Sequence, residues 1–300
     1  MRKNIEFPSD GLKCRGWHYV PDGYSEGKKL PTVVMAHGFS AVKEMLINYA
    51  ERFASAGLAV LLFDYRYLGE GEGEPRGQVL PQAQLDDYRN AISWAMLQPE
   101  TDPARIGVWG SSYSGGHVLH LSAFDRRIKA AVAQVPNLCA WRFLLKQRGG
   151  EGLRLALEML AADRTNRYAT NSISYLPVVA PEGQMSVLGT SEAYKFFLER
   201  IKAGLGNWIN QVTVESVEKM IEYEPANAVE LISPTPLLIV AAEKDALIPI
   251  DQVREAFGRA KEPKKLVEIP CGHFDVYYDE PWHGQAVGAA VQWFREHLGV

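Results

Sequence analysis

Cysteine is scarce in this sequence. Cys14, Cys139 and Cys271 are the only three in 300 residues, and they lie far apart. An odd number without metal-ligand spacing argues against a disulfide framework or a metal site and reads as buried free thiols. Long hydrophobic runs are also missing. The longest, residues 58–63 and 237–242, fall far short of the roughly 20 residues a membrane-spanning helix needs, so a bulk membrane protein is excluded. Basic charge is not in excess: 32 Lys+Arg against 36 Asp+Glu leave a formal net charge of −4, whereas a nucleic-acid partner calls for a basic face. Behind the basic residues of Met1-Arg-Lys-Asn-Ile-Glu-Phe-Pro there is no apolar stretch, so no signal peptide is read and the cytoplasm is the expected location. No G-x-G-x-x-G pattern follows the first buried-strand pattern, and the glycine run Gly69-Glu-Gly-Glu-Gly73 is acidic with no Lys-Ser/Thr behind it. No nicotinamide, flavin or nucleotide cofactor is therefore expected.

What is present is an ordinary globular composition, 47% hydrophobic and 23% charged, able to bury a large core. The length allows one large domain or two small ones. Residues 4–7 and 12–20 read as two strands joined by the Ser9-Asp10-Gly11 turn. Residues 32–36 and 58–63 are short, continuous apolar runs, the pattern of strands buried on both faces of a parallel sheet. A helix is expected over 43–56, a loop over 65–80 and a helix over 85–97. Then follow a strand at 106–109, a helix at 113–124 and a strand at 128–135. The C-terminal part repeats the rhythm: strand 237–242, helix 251–260, strand 265–269, helix 282–298. Alternation of this kind predicts a mostly parallel sheet covered by helices on both faces. Between Val135 and Pro236 roughly a hundred residues carry no clear strand, and a structureless loop of that length inside a domain is improbable. Helical patterns at 152–162, 191–202 and 214–222 make it a helical insertion. The expected division is a core of 1–135 and 232–300 with a lid of 136–231 over the carboxyl ends of the strands, where open α/β sheets bind ligands.

Chemistry concentrates at the strand ends. The strand at 106–109 runs into Gly110-Ser111-Ser112-Tyr113-Ser114-Gly115-Gly116 and then a helix. A nucleophile elbow needs a serine on a crowded strand-to-helix turn with small residues two before and two after. Ser112 has Gly110 and Ser114 in those places. Ser111 and Ser114 compete, but framing on Ser114 moves the serine two residues into the helix. A serine hydroxyl needs a base. Asp245 follows the strand at 237–242, and His273 follows the strand at 265–269, in the chain order Ser, acid, His that this topology requires. Glu243 and Asp251 are rival acids. His117 and His120 lie on the helix after the elbow and read as packing residues; His18, His283 and His297 lack a strand-end setting. The oxyanion donors expected are the backbone N–H groups of Tyr113, after the nucleophile, and of Phe39, in the His37-Gly38-Phe39 loop after residues 32–36. His37 reads as a residue that fixes this loop.

His37-Gly38-Phe39, Phe63-Asp64-Tyr65-Arg66, the Gly110–Gly116 elbow, Asp245 and Gly272-His273-Phe274 together resemble the α/β-hydrolase superfamily over nearly the whole chain. The Tyr after Ser112, the stretch from Asp64 to Pro75 and the long lid look like the dienelactone-hydrolase-like group, which includes polyketide-associated thioesterases and transferases. Ser114 departs from the usual glycine. The resemblance implies attack by Ser112 on a small-molecule acyl ester or thioester, proton transfer by His273 and orientation of the imidazole by Asp245. It implies no metal or other cofactor. Among the lid residues Leu138, Trp141, Phe143, Leu144, Leu145, Tyr175, Phe196, Phe197 and Trp208, some should line an apolar acyl pocket. Trp141, Tyr175 and Trp208 are the substrate-binding candidates. Acyl transfer, or hydrolysis of a carbon–carbon bond, with the same triad is the alternative. A non-catalytic binding protein of the same fold is a remoter one. A dehalogenase would carry Asp at position 112. The lid or an edge strand offers a surface for a homodimer.

Overall fold

The computed structural model describes residues 1–205 and 207–300. The chain opens with two antiparallel strands, β1 (Arg2–Ser9) and β2 (Leu12–Tyr19), joined at Asp10-Gly11. Next come β3 (Leu30–Ala36), a single 3₁₀ turn at Lys43–Leu46, helix α1 (Ile47–Ser55), β4 (Ala59–Asp64) and α2 (Pro81–Met96). Then follow β5 (Thr101–Ser111), α3 (Tyr113–Phe124), β6 (Ile128–Gln134), α4 (Ala140–Thr170), β7 (Tyr175–Leu176), α5 (Ser191–Lys202), β8 (Val212–Thr213) and α6 (Val214–Glu222). A 3₁₀ segment, Pro225–Leu231, leads to β9 (Leu237–Ala242), α7 (Ile250–Arg259), β10 (Lys264–Ile269), α8 (Asp275–Tyr278) and α9 (Trp282–Leu298). The strands form an eight-stranded sheet in the order β1-β2-β4-β3-β5-β6-β9-β10. β1 and β2 are antiparallel to their neighbours, and β4, β3, β5, β6, β9 and β10 run parallel.

The parallel strands are built from the uninterrupted apolar runs. All residues of β3, β4 and β9 are buried, because helices cover both faces of the sheet. On one face Tyr49 and Phe53 of α1 pack on Trp109 of β5, and Phe294 of α9 packs on Phe53. Such close-packed aromatic clusters make the strand positions rigid. The chain runs from β3 outward to β4, then crosses back to β5 on the other side of β3. The loops after β3 and β5 therefore leave adjacent strands in opposite directions, which opens a crevice at the carboxyl edge.

The expected strands and helices are found with ends shifted by a few residues, and the helix expected over 43–56 is the 3₁₀ turn Lys43–Leu46 followed by α1. β5 begins at Thr101 rather than 106, despite Pro103, because Thr101 pairs with Leu30 ahead of a register shift. The insertion differs more. The helix expected at 152–162 extends from Ala140 to Thr170, broken at Gly149, whose φ of 68° and ψ of 178° leave the helical region. The Gly149-Gly150 pair masked this helix in the sequence. Its apolar residues keep no single-faced period because much of it faces solvent: Trp141, Leu145, Leu155 and Leu157 are exposed. β7 and β8, two residues each, pair antiparallel through Tyr175 and Thr213, too short a pattern to read from sequence. All three cysteines are buried and unpaired. Among the described residues, no helix is long and apolar enough to cross a membrane.

Candidate active site

Ser112 sits on the turn between β5 and α3 with φ 58° and ψ −118°. A non-glycine residue held at positive φ costs of order 1–3 kcal/mol and persists only where its surroundings over-determine it. Here they do. The Ser112 N–H donates to the Gln134 carbonyl at 2.9 Å, and the Ser112 carbonyl accepts from Asn137 at 2.8 Å and from Gly116 at 3.2 Å. The rival serines point elsewhere. Ser111 Oγ donates to the Tyr277 hydroxyl at 2.7 Å, and Ser114 Oγ pairs with the Tyr65 hydroxyl at 2.9 Å. That second pair explains why serine can stand where glycine is usual: its hydroxyl is satisfied inside the core.

Two further loops meet Ser112. His273, in the loop after β10, has Nε2 3.0 Å from Ser112 Oγ and Nδ1 2.6 Å from Asp245 Oδ2. Asp245, in the loop after β9, accepts the N–H groups of Leu247 and Ile248 at Oδ1, both at 2.7 Å, which leaves Oδ2 for the imidazole. The loops are tied to each other by backbone bonds, Glu243 N–H to Ile269 O at 2.8 Å and Lys244 N–H to Cys271 O at 2.9 Å. His273 and Asp245 side chains are 1% exposed, so water does not compete for the bond between them. Ser112 is half-buried, open to a cavity. A hydroxyl hydrogen-bonded to an imidazole that is oriented by a carboxylate can lose its proton as it attacks an electrophile.

The loop after β3 completes the crevice. Gly38 packs against the turn so closely that a Cβ there would lie 3.1 Å from Ser112 Cβ. The rings of Phe39 and Tyr113 meet edge to face, centroids 5.5 Å apart, which sets the two residues side by side. Behind them, His37 Nδ1 lies 3.0 Å from the Gly38 carbonyl oxygen and Nε2 faces Asp64 Oδ1 at 3.4 Å. Asp64, fully buried, also accepts the Lys43 N–H at 2.7 Å, the Lys43 ammonium at 2.9 Å and the Glu70 N–H at 2.9 Å. Burial would raise the Asp64 carboxyl, but His37 and Lys43 overcome it and hold it below the ordinary range. The remaining histidines lie apart from Ser112. His117, for example, lies between the Tyr223 hydroxyl at 3.0 Å and Gln84 Oε1 at 2.9 Å.

A narrow cavity of about 30 Å³ opens at Ser112, lined by Phe39, Ala41, Met45, Leu46, Leu188, Phe196, Phe197, Leu247, Phe274 and Tyr277. Phe196 and Phe197 come from α5. The substrate-binding candidates Trp141, Tyr175 and Trp208 do not line it. Trp208 stands behind Phe197, rings stacked at 4.7 Å, and donates from Nε1 to the Ser40 carbonyl at 2.7 Å. Trp141 and Tyr175 are 37% and 40% exposed. Met45, Leu46, Leu188 and Leu247 carried no signal in the sequence, since an apolar residue beside a cavity looks like any core residue. Among the described residues, no three His, Cys, Asp or Glu side chains converge as metal ligands would.

With this geometry in hand, similarities to known proteins can be placed. Residues 10–275 match the model of the X-Pro dipeptidyl-peptidase (S15) family. Thiohydrolase aneE of Aspergillus aculeatus is 32% identical over 299 residues, covering 97% of this chain and 90% of that protein. Polyketide transferase af380 of Aspergillus fumigatus is 32% identical over 304 residues and 99% of each protein. The solved structure of DcsB in complex with its substrate analogue superposes over 100% of both chains with a TM-score of 0.88 at 28% identity.

Proposed function

The chain belongs to the X-Pro dipeptidyl-peptidase (S15) family and is an enzyme of the α/β-hydrolase class, and from that premise we propose that it cleaves a neutral, apolar carboxylic ester or thioester through Ser112, His273 and Asp245. Ser112 Oγ attacks the acyl carbon while His273 Nε2 takes its proton, and Asp245 holds the imidazole in the tautomer that can accept it. The developing oxyanion accepts hydrogen bonds from the N–H groups of Phe39 and Tyr113. The first residues of a helix have no intrahelical acceptor, so the Tyr113 N–H at the start of α3 is free to serve. Collapse of the tetrahedral adduct breaks the acyl–oxygen or acyl–sulfur bond, and His273 returns the proton to the leaving alcohol or thiol. Water, deprotonated by the same imidazole, then releases the acid from the acyl-enzyme. No step calls for a cofactor.

The observation that carries this reading is the unbroken chain of hydrogen bonds from Asp245 to His273 to Ser112, 2.6 and 3.0 Å, at the mouth of an apolar cavity. An ester or thioester is favoured over a peptide with a free amino terminus, because the cavity lining carries no carboxylate to pair with an ammonium group. Residues 136–231, which supply Leu188, Phe196 and Phe197, act as the cap over the acyl group. A second reading has support: the likeness to a polyketide transferase over 99% of both chains suits an acyl-enzyme resolved by an acceptor other than water. Incubation with a panel of p-nitrophenyl esters and acyl-CoA thioesters, followed by mass spectrometry, is expected to find an acyl adduct on Ser112. Ser112→Ala is expected to lose about 10⁶ in turnover with its fold intact. Normal hydrolysis by that variant would end the proposal. Acyl products formed on added alcohols or amines in preference to the free acid would favour transfer.

A further inference from the structure

The residue after the imidazole, Phe274, is gripped twice by α5. The Phe274 N–H donates to Glu192 Oε1 at 3.0 Å. One helical turn on, the Phe196 ring stacks on the Phe274 ring, centroids 4.5 Å apart and planes at 25°. Residues four apart share a face of a helix, so a single face of α5 holds both the backbone and the side chain of this position. The contact is close: a Cβ on Gly272 would fall 2.6 Å from Glu192 Oε1, so a side chain there would push the carboxylate away. Glu192 is not needed to cap its own helix, since Thr190 Oγ1 already accepts the Ala193 N–H at 3.1 Å. The position also has a cost. Burial, with Asp245 and Asp275 nearby, pushes its carboxyl above the ordinary range against the opposing pull of the Phe274 N–H and His273, a cost an outward-pointing glutamate would not incur.

We propose that Glu192 is a positioning residue for His273: it ties the loop that carries the base to α5, so that the imidazole is aligned on Ser112 only while α5 is seated. Glu192 does not line the cavity, whereas Phe196 does, so the same helix face reads the acyl group through Phe196 and passes its own position to the base through Glu192 and Phe274. This inference rests on the proposed role of His273. Misplacement of a catalytic group by about 1 Å from a remote change can cost about a hundredfold.

The test uses steady-state kinetics on the full chain with a p-nitrophenyl ester, and thermal melts alongside. Glu192→Ala is expected to lower kcat about ten- to a hundredfold, with KM within about twofold. Glu192→Gln, which keeps a carbonyl oxygen for the Phe274 N–H, is expected to restore most of the rate. Gly272→Ala, which displaces the carboxylate without removing it, is expected to reproduce the kcat loss, and the Glu192→Ala/Gly272→Ala double variant to be no slower than either single one. A wild-type kcat in Glu192→Ala overturns the proposal. So does a Glu192→Gln variant as slow as Glu192→Ala, because the charge and not the hydrogen bond would then be at work. If Glu192→Ala does not fold, a wild-type kcat in Gly272→Ala overturns it and a loss supports it. Activity surviving Ser112→Ala would instead remove the proposed function itself.

Discussion

The carboxyl rim of the sheet and the inserted helices are held by different physics. At the rim, Ser112, Asp245 and His273 hang on backbone hydrogen bonds that cross between buried strands and their loops. In the insertion, charge links α4 to α6: Arg167 pairs with Glu215 at 3.0 Å and Glu218 at 2.9 Å, and Arg164 pairs with Glu218, while Asp163 of α4 itself holds Arg167 at 2.7 Å. Partly exposed ion pairs are individually weak and weaken further with salt, and α4 leaves several large apolar side chains in water. The rim is thus held by a network of backbone bonds, and α4 is held to α6 by contacts that are individually weaker. Phe274 and Glu192 lie where the two regimes meet.

The comparison can be broken at the rim first. Asp245→Asn keeps the shape but reverses a hydrogen-bond donor, and a loss of about 10⁴ in kcat is expected from the wrong imidazole tautomer. A loss under tenfold in ester assays would mean that the carboxylate does not govern His273. Asp64→Ala comes next. It strips the Lys43 ammonium, itself 0% exposed, of a buried partner, and a cost of about 3–5 kcal/mol is expected in urea melts. A shift under about 1 kcal/mol would mean that Glu44 and Glu70 suffice to hold Lys43.

His117 sharpens the comparison at the junction, since it joins α3 to Tyr223 just beyond α6. Burial, aided by His120 and His37, pushes its pKa down to about 3. The unfolded imidazole takes up a proton near pH 6.5, whereas the folded one resists until about pH 3. Its contribution is therefore complete above pH 6.5 and declines as pH falls towards 3, by about 1.4 kcal/mol per pH unit. His117→Gln is expected to remove that slope in melts at pH 7, 6 and 5. A wild-type minus variant difference that stays constant with pH would contradict the assignment. Arg167→Ala, wholly within the insertion, is expected to cost about 1 kcal/mol and to matter less as salt rises. An effect as large as that of Asp64→Ala would erase the contrast between the regions.

Particular residues show how much the sequence carried. Ser112 was legible because a strained strand-to-helix turn admits only small neighbours, Asp245 because it follows the buried apolar run of β9, and His273 because it follows the short strand β10. Their meeting was an inference from topology. Trp141, Tyr175 and Trp208 lie off the cavity at Ser112, and size and apolarity could not tell this from sequence, being common to a pocket wall, a buttress behind it and an exposed helix. Glu192 left no mark at all: a glutamate in the first turn of a helix reads as a partner of the helix dipole.

Local chemistry and period, which are properties of the chain, determined the strands, the helices beside them and the residue types that end them. Direction and reach across space were decided only by the tertiary structure. It is the packing of α5 against the loop after β10 that brings Phe196 and Phe197 to the cavity and closes Glu192 on Phe274. Those outcomes depend on contacts between residues some eighty positions apart, and no pattern along the chain encodes the rotation of one element about its axis relative to another.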